Sequence, residues 1–358
     1  MISMIVHPSL RSLEYSFFSP GDRRPKLSGS VAWNFAPGSA ASEALAQALA
    51  AWRQKQPAGP EAICVRVPHG GDIFTRPVIA DEQAIKKLQT LVPAAPLHLP
   101  LAINVIGAAM KIGVPVVLAF DTAFFASLPP REHLYGLSQG GAGARYGYHG
   151  LYHQAACSAC AGVSGAGRGQ RSGPSRVISI CLEPRPEIAA AIGPNAVMVT
   201  SGATPLEGLP GATSCGELDP GIILAMAREM KWGPEEINAV LTQKSGIFAL
   251  AGKRVSLDTV LKPRSPYRLA RDVIRYRILL ACGSAIAAMG GLDAIVFSGR
   301  YGHCGPDSLG NWLVKKLTWN VGPTAVGVHL LHDRLDQILA ETATATIREA
   351  SDQATLAS

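Results

Sequence analysis

The sequence predicts an α/β protein built from two domains, and three observations predict it. With 358 residues the chain is long enough for two domains of ordinary size. Three strand-like runs followed by alternating helices and strands occur twice, once before and once after Asp121. Continuous apolar runs such as Val116–Phe120 and Ala294–Ser298 are of the kind buried in a parallel sheet. The expected division is 1–121, joined by a returning terminal helix at 335–358, and 122–334.

Taken in order, Ile2–His7, Ser12–Phe18 and Leu27–Phe35 read as strands, with turns at Pro8-Ser9 and Pro20-Gly21. Ala41–Gln54 is an Ala-rich helix, and Ile63–Val67 a short apolar strand ending at Pro68-His69-Gly70-Gly71. Helices are expected at Asp81–Leu91 and Leu101–Lys111, and a buried strand at Val116–Phe120. Ala161–Ser175, rich in Gly, Ser and Arg, reads as a mobile loop. The second set of strands is Val177–Leu182, Ile188–Ile192 and Ala196–Thr200. Helices follow at Gly221–Met230, Glu235–Gln243 and Tyr267–Met289, then the strand Ala294–Ser298 and the helix Ser308–Leu317. A final helix, Leu335–Glu349, is expected to pack back on the first domain. The duplicated order fits two ribonuclease-H-like domains facing each other across a cleft.

Composition narrows the function. Apolar residues make up 47% and charged residues 16%, which describes a well-packed globular chain. The net charge of +7 suits anionic ligands. It is spread out, however, and no basic run with interleaved aromatics marks a nucleic-acid surface. The N-terminus has no basic segment followed by an apolar core, so no signal peptide is expected. The longest uncharged apolar run, Ile278 to Leu292, contains Gly283, Gly290 and Gly291 and is too short to span a bilayer. Seven Cys without a secreted framework point to reduced thiols and a cytoplasmic setting.

Several short stretches carry chemistry. Arg66, at a strand end beside Gly70-Gly71, presents a guanidinium that can take a carboxylate or phosphate in a bidentate fork. His98 lies between Pro96 and Pro100, in a rigid non-helical turn. Asp121 ends a buried strand at its carboxyl edge, where ligands of open α/β sheets collect. In Arg145–His153, Gly147 and Gly150 flank His149, and His149 and His153 would share one face of a helix. Thr204–Leu209 is a rigid turn. His149, His153, Cys157 and Cys160 also follow at helical spacing, within about 80° of one another, and Cys₂His₂ is a zinc ligand set.

Together these stretches resemble the acetate kinase family. The family pattern HRVVHGG is similar to Val65–Gly71, APLHNP to Ala95–Pro100, FDTAFH to Phe120–Phe125 and RYGFHGTSH to Arg145–His153. TPLEGL stands unchanged at Thr204–Leu209, KKSG resembles Gln243–Gly246, and YRI…GGLDAIVF resembles Tyr276–Ile278 with Gly290–Phe297. The resemblance implies the acetate and sugar kinase, heat-shock chaperone and actin superfamily. It implies transfer of a phosphoryl group between ATP and a short carboxylate, with Mg²⁺, in a homodimer joined through the second domain and the helix Tyr267–Met289. By position, Arg66 would grip the carboxylate and the phosphoryl group, and His149 would stabilise its charge. His98 would support the pocket, and Asp121 would hold Mg²⁺ or orient the carboxylate. Pro68, Leu97 and Pro205 would wall the substrate's methyl group.

The nucleotide side departs from the pattern. NAGSSSLK stands here as His7–Glu14, HLGNG as Cys181–Arg185, GTRSG as Ala212–Gly216 and GIGEN as Arg300–Cys304. Pro184 removes a backbone donor, Glu183 puts a negative charge where phosphate would sit, and the arginine of GTRSG is absent. Phe125 replaces a His, and Asp333 and Asp336 are approximate candidates for a late acidic metal partner. Arg185, Arg300 and Gly216 are the candidate nucleotide contacts that remain. The sequence therefore supports a short-chain carboxylate kinase of reduced or altered activity. Its alternative is a non-catalytic or regulatory homologue that binds a small carboxylate or acyl phosphate without ATP turnover.

Overall fold

A computed structural model describes residues 1–9, 11–19, 21–33, 40–96, 98–137, 144–161, 173–318, 326–332 and 335–357. The chain forms two compact units, Met1–Ala126 with Asp333–Ser358, and Ser127–His332. Each is an α/β unit.

The first unit opens with an antiparallel meander of β1 (Ser3–Pro8), β2 (Ser12–Phe18) and β3 (Leu27–Ala32). The helix α1 (Ala40–Arg53) then leads to β4 (Ala62–Val67), which adds in parallel to β1. After β5 (Val78–Ile79), α2 (Glu82–Thr90) and α3 (Leu99–Met110), β6 (Val116–Phe120) adds in parallel to β4. The strand order is β3-β2-β1-β4-β6-β5. Apolar residues at 41, 44, 45, 48 and 52 give α1 one buried stripe, and Trp52 stacks on Phe17 with ring centroids 4.4 Å apart. Met4, Val6, Ile63, Val65, Leu118 and Phe120 complete that core from the sheet. The alternate positions Ile5, Cys64 and Val117 are fully buried toward the other face.

The second unit repeats the plan. It begins with the short helix α4 (Pro130–His133) and α5 (Gly150–Ala159). An antiparallel meander follows: β7 (Arg176–Cys181), β8 (Glu187–Ile192) and β9 (Asn195–Val199). Four helices come next, α6 (Pro220–Glu229), α7 (Pro234–Gln243), α8 (Gly246–Ala251) and α9 (Leu257–Leu261), and then the long α10 (Arg268–Met289). The strand β10 (Ala294–Ser298), α11 (Asn311–Leu317) and β11 (Gly327–Leu330) finish the sheet as β11-β10-β7-β8-β9. Ile274, Ile278, Cys282, Ala285 and Met289 of α10 bury one face against Ile178, Ile180 and Ile188. The opposite face, with Ser179, lies under α5.

The last helix, α12 (Leu335–Ala357), returns to the first unit and packs on β1, β4 and β6. It extends past the expected Glu349, and the hydroxyls of Thr342, Thr344, Thr346 and Thr355 each donate to the carbonyl four residues back. Three further sequence expectations are corrected. The third strand ends at Ala32, and the expected residues 34 and 35 lie outside those described. His98 is not in a non-helical turn but is the N-cap of α3, because Pro100 fits within a helix's first turn, where no N–H is needed. The expected helix from Ser308 begins as a wider π-type turn over Pro306–Gly310 before α11. Of the expected loop Ala161–Ser175, residues 162–172 lie outside the described set. Among the described residues no helix is long and apolar enough to cross a membrane.

Candidate active site

In the first unit the parallel neighbours β4 and β6 end side by side, with Val67 opposite Phe120. Asp121 follows β6 immediately, and its N–H extends the ladder to the Val67 carbonyl at 3.0 Å. This places the Arg66 Nε 2.7 Å from Asp121 Oδ2. The Asp121 side chain is 2% exposed and that of Arg66 28%. A buried carboxylate thus aims a part-exposed guanidinium, and Asp121 is an anchor for Arg66 first. The Gly70 N–H donates to Thr122 Oγ1 at 2.8 Å and ties the Pro68–Gly71 turn to the same edge. His69 in that turn is buried, which pushes its pKa down and leaves it neutral at pH 7. Pro68 is half-buried, His98 stands exposed at the start of α3, and Leu97 lies outside the described residues.

In the second unit, His149 is the N-cap of α5. Its Nε2 lies 3.2 Å from the Arg185 carbonyl, and a carbonyl only accepts, so this nitrogen carries the proton. Glu187, first residue of β8 and fully buried, takes three groups of this segment. Its carboxylate accepts the Tyr148 N–H at 3.0 Å, the His149 N–H at 2.9 Å and the His153 Nε2–H at 3.1 Å. His153 Nδ1 in turn lies 2.7 Å from Ser179 Oγ. Burial pushes the Glu187 carboxyl up, but the His153 hydrogen bond and the charges of His149 and His153 outweigh it, leaving a pKa of about 2. Ser179, His153 and Glu187 line up like a hydrolytic triad, yet all three are buried, so no substrate reaches the serine.

The turn Thr204–Leu209 is braced from the same unit. Glu207 accepts from Arg145 Nη1 at 2.7 Å and from the Tyr135 hydroxyl, whose oxygen accepts the Ala203 N–H at 2.8 Å. Pro205 is half-buried on that turn.

The remaining nucleotide-side candidates do not form a phosphate cradle. The Glu183 carboxylate accepts the Arg300 N–H at 2.7 Å and lies 3.7 Å from its guanidinium, which is exposed. Pro184 and Pro186 have no N–H. Arg185 offers its carbonyl to His149, and burial draws its guanidinium pKa down. Gly216, at φ +74°, packs against backbone: an added Cβ would meet Pro210 N at 2.6 Å and Gly208 O at 2.8 Å. It serves the turn and lines no open cradle. In the first unit His7 Nε2 lies 2.6 Å from Asp336 Oδ1, and Ser9 Oγ accepts the Ser12 N–H at 3.0 Å, so that opening turn closes on itself. Among the described residues these loops therefore do not fit a triphosphate.

They do not fit a metal either. Asp121 and Asp336 each face a basic side chain, Asp333 lies outside the described residues, and among the described residues no group of three or more His, Cys, Asp or Glu is placed to hold an ion. The expected His149, His153, Cys157 and Cys160 set does not form: His153 is engaged with Ser179 and Glu187, and burial pushes the Cys157 thiol up to about 12.

Sequence reasoning missed Glu187, Glu207 and Tyr135. Glu187 carries a legible signal, a carboxylate opening the otherwise apolar Ile188–Ile192. Glu207 lies within the unchanged motif but reads as surface, and only the fold brings Arg145 to it.

A family model described as "Acetokinase family" matches residues 28–309. Acetate kinase of Thermosipho africanus is 34% identical over 257 residues, covering 69% of this chain and 62% of that protein. Acetate kinase of Syntrophobacter fumaroxidans is 35% identical over 251 residues, covering 66% and 59%. The chain thus spans less than two thirds of the length of these relatives. The structure of Porphyromonas gingivalis acetate kinase superposes with a TM-score of 0.81 at 22% identity, over 97% of this chain and 99% of that one. A propionate kinase from Francisella tularensis gives 0.79 at 21% identity, over 96% and 99%. These likenesses show the two-domain fold of the ribonuclease-H-like kinases.

Proposed function

The chain belongs to the acetokinase family, and from that premise we propose a short-chain carboxylate kinase by descent, with reduced or altered phosphoryl transfer. The observation that carries this reading is the Arg66–Asp121 pair, a guanidinium held by its Nε at a sheet edge. Arg66 would bind the carboxylate of a small acid, or the phosphoryl oxygens of its acyl phosphate, by charge-assisted hydrogen bonds. His149, with Nε2–H fixed on the Arg185 carbonyl, would meet developing negative charge as an imidazolium, through Nδ1–H. Pro68, Leu97, Pro205 and His98 would shape the acid pocket. ATP and Mg²⁺ are what the family implies. The loops described above do not fit them.

A second reading has its own support: a homologue that binds a small carboxylate or acyl phosphate without ATP turnover. Glu183 favours it, since it places a carboxylate on the Arg300 N–H of an altered loop, and Glu187 places another on the amides beside the Cys181–Arg185 loop. Calorimetry separates the two. Titrating acetate and acetyl phosphate should give heat that disappears in Arg66→Ala. Heat on adding ATP, enhanced by acetate, would favour the kinase, and its absence at millimolar ATP the binder. Wild-type protein silent to both acids, or an unchanged response in Arg66→Ala, would refute the carboxylate site. We place the protein in a reducing, cytoplasmic setting, in line with seven free cysteines. We also infer a homodimer through α10, which exposes Leu269, Tyr276 and Leu280.

A further inference from the structure

The start of an α-helix offers backbone N–H groups without intrahelical partners and a partial positive charge, so it draws an anion. Two amides at the entry to α5, that of its N-cap His149 and that of Tyr148 before it, are not left to a ligand. Glu187 reaches across from β8, opposite Cys181 in the β7–β8 hairpin, and both its oxygens accept from Tyr148 and His149. One oxygen also takes the His153 Nε2–H from one turn further along the helix. Around this carboxylate stand His149 and His153 from the helix, Tyr148 before it, and Arg185 from the preceding loop. The side chain is fully buried, so no water replaces it. The same loop is poor in other donors, because Pro184 and Pro186 have none.

We propose that Glu187 is a built-in anion: it occupies the Tyr148 and His149 amides at the entry to α5 in place of a ligand phosphate, and through them it positions His149. It is a positioning residue and touches no reacting atom. Two consequences follow. A phosphate group does not settle on the Tyr148 and His149 amides, and the orientation of the His149 ring depends on a carboxylate that sequence places in another strand. The role of His149 in transfer comes from the proposed function. The grip of Glu187 on the amides does not, and it is tested here without substrate.

The test uses the full chain labelled with ¹⁵N, as wild type, Glu187→Gln and Glu187→Ala. In wild type the Tyr148 and His149 amide protons should resonate downfield and stay unmoved by inorganic phosphate up to 20 mM (about a physiological excess). Glu187→Gln, which keeps the shape without the charge, should move both amides upfield. Glu187→Ala should lower the melting temperature by about 5–10 °C. Added formate should restore both the temperature and the amide shifts, saturably and in that variant alone. Saturable phosphate shifts of these amides in wild type would overturn the proposal. So would amides unmoved in Glu187→Gln, or formate acting equally on wild type and variant. If Glu187→Ala does not fold, the glutamine variant decides. Loss of transferase activity in any of these proteins does not bear on it, and an intact grip does not establish transfer.

Discussion

Asp121 holds Arg66 Nε at 2.7 Å, and nearly all of the carboxylate is out of water. Removing it takes away a charge-assisted hydrogen bond, so Asp121→Ala should cost about 2–3 kcal/mol in urea unfolding and also weaken acetate binding. Glu187 makes a pH prediction. Its folded pKa, about 2, lies below the ordinary 4.5. A group lowered in this way stabilises the fold above the unfolded value and loses that contribution as pH falls through the folded one. The stability gap between wild type and Glu187→Gln should therefore be full at pH 7 and still near full at pH 5. It should shrink by about 3 kcal/mol between pH 4.5 and pH 2, read from urea midpoints. A gap that is constant across that window would contradict the assignment.

At the scale of elements, α12 shows how a distant segment completes a sheet. Leu339 and Ala343 are fully buried where it meets β1, β4 and β6, and His7 bonds Asp336 at its first turn. Leu339→Ala should cost about 2–5 kcal/mol, measured by thermal or urea unfolding, although the residue is remote from Arg66 and His149 in sequence. Most long elements were legible from the chain. The stripe of α1, the buried run of β6 and the Asp81 cap of α2, whose carboxylate accepts the Ala84 N–H at 2.6 Å, are local signals. Short pieces were not. Val78–Ile79 is too brief for any period, and Gly246–Ala251 begins with a glycine at φ +62° that local propensity reads as a loop. The candidate site divides in the same way. Arg66 and Asp121 were legible because both sit at strand ends of adjacent apolar runs. Glu187 stood out as a lone carboxylate on an apolar strand, but its role was not legible, because its partners lie 34 to 39 residues away and only the fold brings them together.

At the scale of the whole chain, one strand plan is used twice, a meander followed by parallel strands added beside its first member. The two halves carry it with unrelated residues, which is why element order revealed it and identity did not. The long α10 buries one face and leaves Leu269, Tyr276 and Leu280 exposed on another. Light scattering should give twice the chain's own mass for wild type. Replacing Tyr276 and Leu280 together by Glu should give the single-chain mass, with the far-ultraviolet circular dichroism unchanged. A wild-type protein that elutes as one chain would remove the dimer.

The loop between β7 and β8 also constrains what this lineage can become. Exchanging Glu187 alone strands two amides and an imidazole N–H in a dry interior, while the neighbouring prolines still supply nothing for a nucleotide to hold. Giving this loop a row of open donors would take new residues at 184 and 186 as well as at 187.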